Sequence, residues 1–141
     1  MSTIEKQALL EKFVSNFIIK SKRDRMLFEL TNSKKRSAFI DRLNHEVTDI
    51  FEVNKLRLLT KSTDIAVIRN MLSIKESDLC YVICHDENFD DTIVNFNTTL
   101  NTLHRNGSGF VLIKISSGNI YIECEQVQGP ADQYFSANHS S

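Results

Sequence analysis

The chain has 141 residues, 41% hydrophobic and 25% charged, with a formal net charge of −1. That suffices for one compact domain with its own core, leaves no global field to draw in nucleic acid or a membrane surface, and offers no apolar run long enough to span a bilayer. The start, MSTIEKQALLEKF, does not read as a secretory signal, so three cysteines (Cys80, Cys84, Cys124) imply reduced thiols in a cytoplasm rather than a disulfide framework.

Apolar residues at spacings of three and four from Ile4 to Ile18 predict a first helix, with Ser2 and Thr3 placed to cap it. A short second helix is expected from about Arg23 to Leu30, burying Leu27, Phe28 and Leu30. A third follows Thr31-Asn32-Ser33, with Phe39, Ile40, Leu43 and Val47 on one side. Residues 48–61 fit neither period and read as a loop with a short strand near Leu56–Leu59. Ser62-Thr63-Asp64 opens a short helix through Ile65, Ile68, Met71 and Leu72. Leu79–Cys84 is apolar on both faces, the pattern of an interior strand. Asp90 and Asp91 are expected at the start of the next helix, favourable against its dipole. That helix runs through Ile93, Phe96, Leu100 and Leu103 and stops at Asn106-Gly107-Ser108-Gly109.

The stretch GFVLIKISSGNIYIECE, Gly109 to Glu125, predicts a β-hairpin around Ser116–Asn119. Val111, Ile113 and Ile115 share a face with Ile120, Ile122 and Cys124. Lys114, Tyr121, Glu123 and Glu125 take the other, which suggests a sheet buried on one side and partly wet on the other. The fold expected is α+β: an N-terminal three-helix layer packed on a small mixed sheet, in the order helix-strand-helix-strand-strand, with a parallel crossover before the hairpin. One domain covers residues 1–135, and 136–141 form a flexible tail.

Charge is unevenly distributed. Lys20 to Leu43 holds eight basic residues against three acidic ones, and Asn44 to His104 holds five against ten. A basic helical face carrying Lys22, Arg23, Arg25, Lys34, Lys35 and Arg36 suits an anionic protein or nucleic acid. The competing reading is that these cations are solvated or meet carboxylates of the same chain. Lys34-Lys35-Arg36 falls where the first turn of the third helix is expected, against the dipole, and with that turn's free N–H groups would form an anion site. Glu29 or Asp41 would otherwise neutralise it.

A second candidate is Cys84-His85-Asp86-Glu87 at the carboxyl end of the interior strand, where a thiol, an imidazole and two carboxylates can support nucleophilic or acid–base chemistry. Neighbouring strand residues point to opposite faces, which argues against a Cys84–His85 dyad. Cys80 and Cys84 lie about 13 Å apart on a strand, too far to share a zinc, so no metal and no cofactor are expected. No Walker loop, HExxH or nucleophile elbow is present. His45 and His104 sit near helix ends, where capping is the simpler role.

KSKRDRMLFEL and SKKRSAFIDRLNH at 20–45, DLCYVICHDE at 78–87 and LHRNGSGFVLIKISSGNIYIECE at 103–125 together resemble a family of small uncharacterised bacterial proteins. The resemblance implies a bacterial cytoplasmic protein and carries no activity with it. Function therefore rests on the residues: first a non-enzymatic binding or regulatory module with a basic face, then a small enzyme at His85, then a homodimeric structural component.

Overall fold

The structure is a computed structural model and describes residues 1–43, 47–59, 64–125 and 132–136. Among them are α1 (Thr3–Phe17), α2 (Arg23–Thr31), α3 (Arg36–Arg42), α4 (Val47–Ile50), β1 (Arg57–Leu59) and α5 (Ile65–Met71). Then come β2 (Leu79–Cys84), β3 (Ile93–Asn95), α6 (Phe96–Leu103), β4 (Phe110–Lys114), β5 (Ile120–Glu123) and β6 (Gln133–Phe135). The α+β class is as expected. The six strands form one sheet in the order β1-β6-β5-β4-β2-β3.

The sheet is antiparallel at every pairing, not mixed. The reason is β3. The sequence reading ran a helix through Ile93, but Ile93 pairs with Tyr81 in a strand that doubles back on β2. One extra reversal changes the direction of everything after it, so β4 returns beside β2 antiparallel. Asp90 and Asp91 consequently lie in the β2–β3 loop. The helix begins at Phe96, where the Asn95 side chain accepts the Thr98 N–H at 3.0 Å.

Both faces of the sheet are buried. Tyr81, Ile83, Val111, Ile113, Ile120, Ile122 and Cys124 meet α1–α4 through Phe13, Phe17, Leu30, Phe39, Leu43 and Phe51. Phe13, Phe39 and Phe51 stack edge-on at 6.0–6.4 Å, each pair adding about 0.5–1.5 kcal/mol beyond its burial. Cys80, Val82, Cys84, Phe110, Leu112 and Tyr121 face the opposite way, onto Ile68 and Leu72 near α5 and Phe96, Leu100 and Leu103 of α6. The face expected to be partly wet is therefore covered by a second helical layer. Lys114 and Glu123 on it are 8% and 1% exposed.

Local capping follows the sequence. Ser2 and Glu5 form a reciprocal capping box at 3.1 Å each way, which fixes the start of α1. In the hairpin, Gly118 takes φ +77 and donates its N–H to Lys114 O at 2.8 Å, a conformation that favours glycine. The buried face of α2 is Met26, Glu29 and Leu30, while Phe28 is 55% exposed. The helix before the hairpin ends at Leu103 rather than at the glycines. Ser136, expected within the tail, is buried and bonds Ile120 both ways, its Oγ accepting the Ile120 N–H and its N–H donating to the Ile120 carbonyl. Residues 137–141, and His45, lie outside the described residues.

Candidate functional site

The expected basic face is largely engaged inside the chain. Lys22 Nζ donates to Asp49 O at 2.8 Å. Arg23 reaches Ile18 O and Glu52. Arg25 and Arg42 converge on Glu29, at 3.2 and 2.8 Å, and that carboxylate is 3% exposed. Arg36 is buried and binds Asp90 bidentately, Nε–Oδ2 at 2.9 Å and Nη2–Oδ1 at 2.7 Å. Lys34 and Lys35 differ: they are exposed, and no ion pair to either occurs among the described residues.

Three N–H groups of the turn before α3 are taken within the turn itself. Lys34 N–H donates to Asn32 Oδ1, and the N–H groups of Lys35 and Arg36 donate to Asn32 O. Asn32 thus closes the turn by local side-chain and backbone bonding. Lys34 and Lys35 precede α3, so their charges do not sit within its first turn.

Arg36 organises the β2–β3 loop. Its Nη1 donates to Leu30 O and to the Tyr81 hydroxyl, each at 2.9 Å, and Tyr81 donates to Asp91 at 2.6 Å. Asp90 Oδ1 also accepts the Cys84 N–H at 3.0 Å. Burial opposes the guanidinium charge, but the Asp90 hydrogen bond and the nearby negative charge outweigh it and hold Arg36 above its ordinary pKa. Burial pushes the Tyr81 phenol up, so it stays neutral. Asp91 takes φ +61, a left-handed conformation that Asp tolerates better than most residues.

A second buried network fixes the loop after α6. Glu123 Oε1 contacts His104 Nδ1 and accepts from Tyr121, each at 2.8 Å, while Oε2 accepts the Arg105 N–H at 2.7 Å. Gln133 donates to the Tyr121 hydroxyl. Burial, then the adjacent Glu123 charge, pushes the Tyr121 phenol up. Arg105 itself takes φ +59. His104 is the C-cap residue of α6, but its ring serves Glu123 rather than helix carbonyls.

These two loops face each other at the carboxyl end of β2. Between them lies a cleft of about 350 Å³, floored by Cys84, Leu103 and Phe110 and rimmed by His85, Asp86, Asn106 and Ser108. Cys84, His85 and Asp86 thus share one cavity, as their place at the strand end suggested. Among the described residues no hydrogen bond joins one of these side chains to another: the Cys84 Sγ–H donates to the Asp86 carbonyl O at 3.5 Å, and His85 Nε2 pairs with Asp41 Oδ1 at 3.0 Å. Burial pushes the Cys84 thiol up to about 11, which keeps it protonated at neutral pH and makes it a poor nucleophile. Among the described residues, no three His, Cys, Asp or Glu side chains come together in a metal-holding group.

The sequence reading missed Tyr81, Asp90 and Glu123 as organising residues. For Tyr81 and Glu123 the available signal was a hydroxyl or carboxylate within an otherwise apolar strand; Asp90, in the loop between β2 and β3, carried none. Comparison with known proteins adds nothing further: no family model matches the chain, and no curated protein or solved structure is similar to it.

Proposed function

We propose that the chain is a non-enzymatic binding module that engages an acidic segment of a partner protein through Lys34 and Lys35. What supports this reading is that these two cations stand exposed on a turn closed by Asn32, while Lys22, Arg23, Arg25 and Arg36 beside them in sequence bond within the chain. Two adjacent lysines suit carboxylates at short range. A nucleic acid would need several phosphate contacts for useful affinity at physiological salt, and the internal pairs remove most of those cations.

The test is a titration of a fluorescent oligoglutamate peptide, alongside duplex DNA and RNA, at low and at physiological salt. Saturable binding of the peptide that is lost in Lys34→Glu/Lys35→Glu supports the reading. Peptide binding that is absent, or indifferent to the double substitution, overturns it. Tighter, steeply salt-dependent binding of DNA or RNA replaces it with a nucleic-acid module.

Catalysis at His85 has one observation in its favour, the shared cleft. It lacks a base within hydrogen-bond reach of a nucleophile, which the chemistry requires.

A further inference from the structure

We propose that the cleft at the carboxyl end of β2 is a binding site for a small organic ammonium compound, its cation on Asp86 and its apolar part over Cys84, Leu103 and Phe110. A half-apolar concavity with a few polar groups on its rim is the usual form of a small-molecule site. About 350 Å³ accommodates a ring or short chain with a polar head.

The rim chemistry sets the ligand class. Among the described residues, no lysine or arginine lines the cleft. Asp86 is exposed and, among the described residues, uses only Oδ1, for the Asn88 N–H at 2.9 Å, which leaves Oδ2 open. His85 is held by Asp41 and contributes no unopposed positive charge. Ser108 adds a hydroxyl that bonds no group among the described residues, and Asn106 adds an amide whose oxygen takes the Ser108 N–H. A carboxylate and a hydroxyl without a competing cation favour an ammonium group over a carboxylate or phosphate.

The way the walls are held carries the inference further. Each wall is fixed by a charged group buried for the purpose. Arg36, 7% exposed, grips Asp90 in the β2–β3 loop; Glu123, 1% exposed, grips the His104 ring and Arg105 N–H in the loop after α6. Two of the three non-glycine residues at positive φ among the described residues, Asp91 and Arg105, lie in these same loops. Buried charges and strained backbone are costly to keep. Here both act to hold two opposed loops rigid, which is what preorganised binding needs.

The experiment uses the full chain, isotopically labelled, with phenethylamine as the probe and 2-phenylethanol and phenylacetate as its neutral and anionic counterparts. Saturable amide shifts confined to residues 84–87 and 104–110 are expected with phenethylamine, weaker ones with the alcohol and none with the acid. Asp86→Asn, which keeps an acceptor for Asn88, should weaken phenethylamine by about two- to five-fold, the range of an exposed ion pair. Ser108→Tyr, on the exposed rim, should block phenethylamine and 2-phenylethanol while the remaining spectrum stays folded. No saturation with phenethylamine, shifts elsewhere on the molecule, equal response to phenylacetate, or affinity unchanged in both variants overturns the proposal.

Discussion

Arg36 and Asp90 are 54 residues apart in the chain and share two parallel hydrogen bonds of 2.9 and 2.7 Å. The pair joins the start of α3, in the first helical layer, to the loop that reverses β2 into β3. It also supplies the acceptor for the Cys84 N–H at the end of β2. One ion pair therefore couples a helix, a loop and the last backbone N–H of an interior strand.

Breaking that pair should cost about 2–4 kcal/mol, since either partner alone leaves a charge short of solvent. Arg36→Lys is expected to be nearly as damaging as Arg36→Met, because an ammonium cannot make the fork that reaches Asp90, Leu30 O and Tyr81 together. In urea denaturation the double variant Arg36→Met/Asp90→Asn should lose much less than the sum of the singles. Additive losses would show that the two residues act independently.

Glu29 predicts the acid limb of stability. Burial alone would push its carboxyl up, but hydrogen bonds and charge from Arg42 and Arg25 outweigh this and hold it below the usual carboxylate range. A folded-state pKa below the unfolded one adds stability that is complete above the unfolded value and is lost as pH falls through the folded value. Stability should thus decline as pH drops below about 4. Glu29→Gln should lower stability near neutrality by about 1–3 kcal/mol and flatten that decline. Denaturation midpoints of both proteins from pH 7 to pH 3 check it; parallel curves would contradict it.

Periodicity made the locally encoded parts of this fold legible. Ile4 to Ile18, Leu79–Cys84 and the hairpin at Gly118 appear where the apolar pattern put them, and Ser2 caps α1 as its residue type suggests. Three-residue strands are too short to show a period. That hid β3 and with it the antiparallel path of the sheet. The polar side of the hairpin misled for a different reason. Lys114 and Glu123 alternate as solvent-facing residues do, yet each is buried by partners roughly 20 to 40 residues away in sequence. The internal pairing of Arg23 and Arg36 was hidden on the same count, since Glu52 and Asp90 are distant in sequence from the arginines they neutralise. Spacing along the chain carries no signal for such pairs.

Lys114 gives a direct test of that burial. Its Nζ crosses from β4 to donate to Leu72 O and Ser73 O at 3.2 and 3.1 Å, with Asp78 Oδ2 at 3.6 Å. It therefore caps the C-terminus of α5, where a cation is favoured by the orphan carbonyls and the dipole. Lys114→Met keeps the stem's packing but removes the cap, and should cost about 1–3 kcal/mol. The loss should appear first as faster hydrogen exchange in residues 68–74. Uniform loosening of the whole chain would show that the cap is not local.

The three cysteines should be almost inert in the folded protein. All are free and buried. Burial pushes Cys80 and Cys124 up to about 12 and Cys84 up to about 11. At pH 8 a thiol with a pKa of about 11 is ionised to roughly one part in a thousand, and only the thiolate attacks a disulfide reagent. Ellman's reagent should therefore release little colour from the native chain and three equivalents once the chain is unfolded in urea. Cys84 lines the cleft and should be the first to react under native conditions, so Cys84→Ser should remove most of the slow native phase. A fast native equivalent that survives Cys84→Ser would mean that Cys80 or Cys124 is far more accessible than its burial implies.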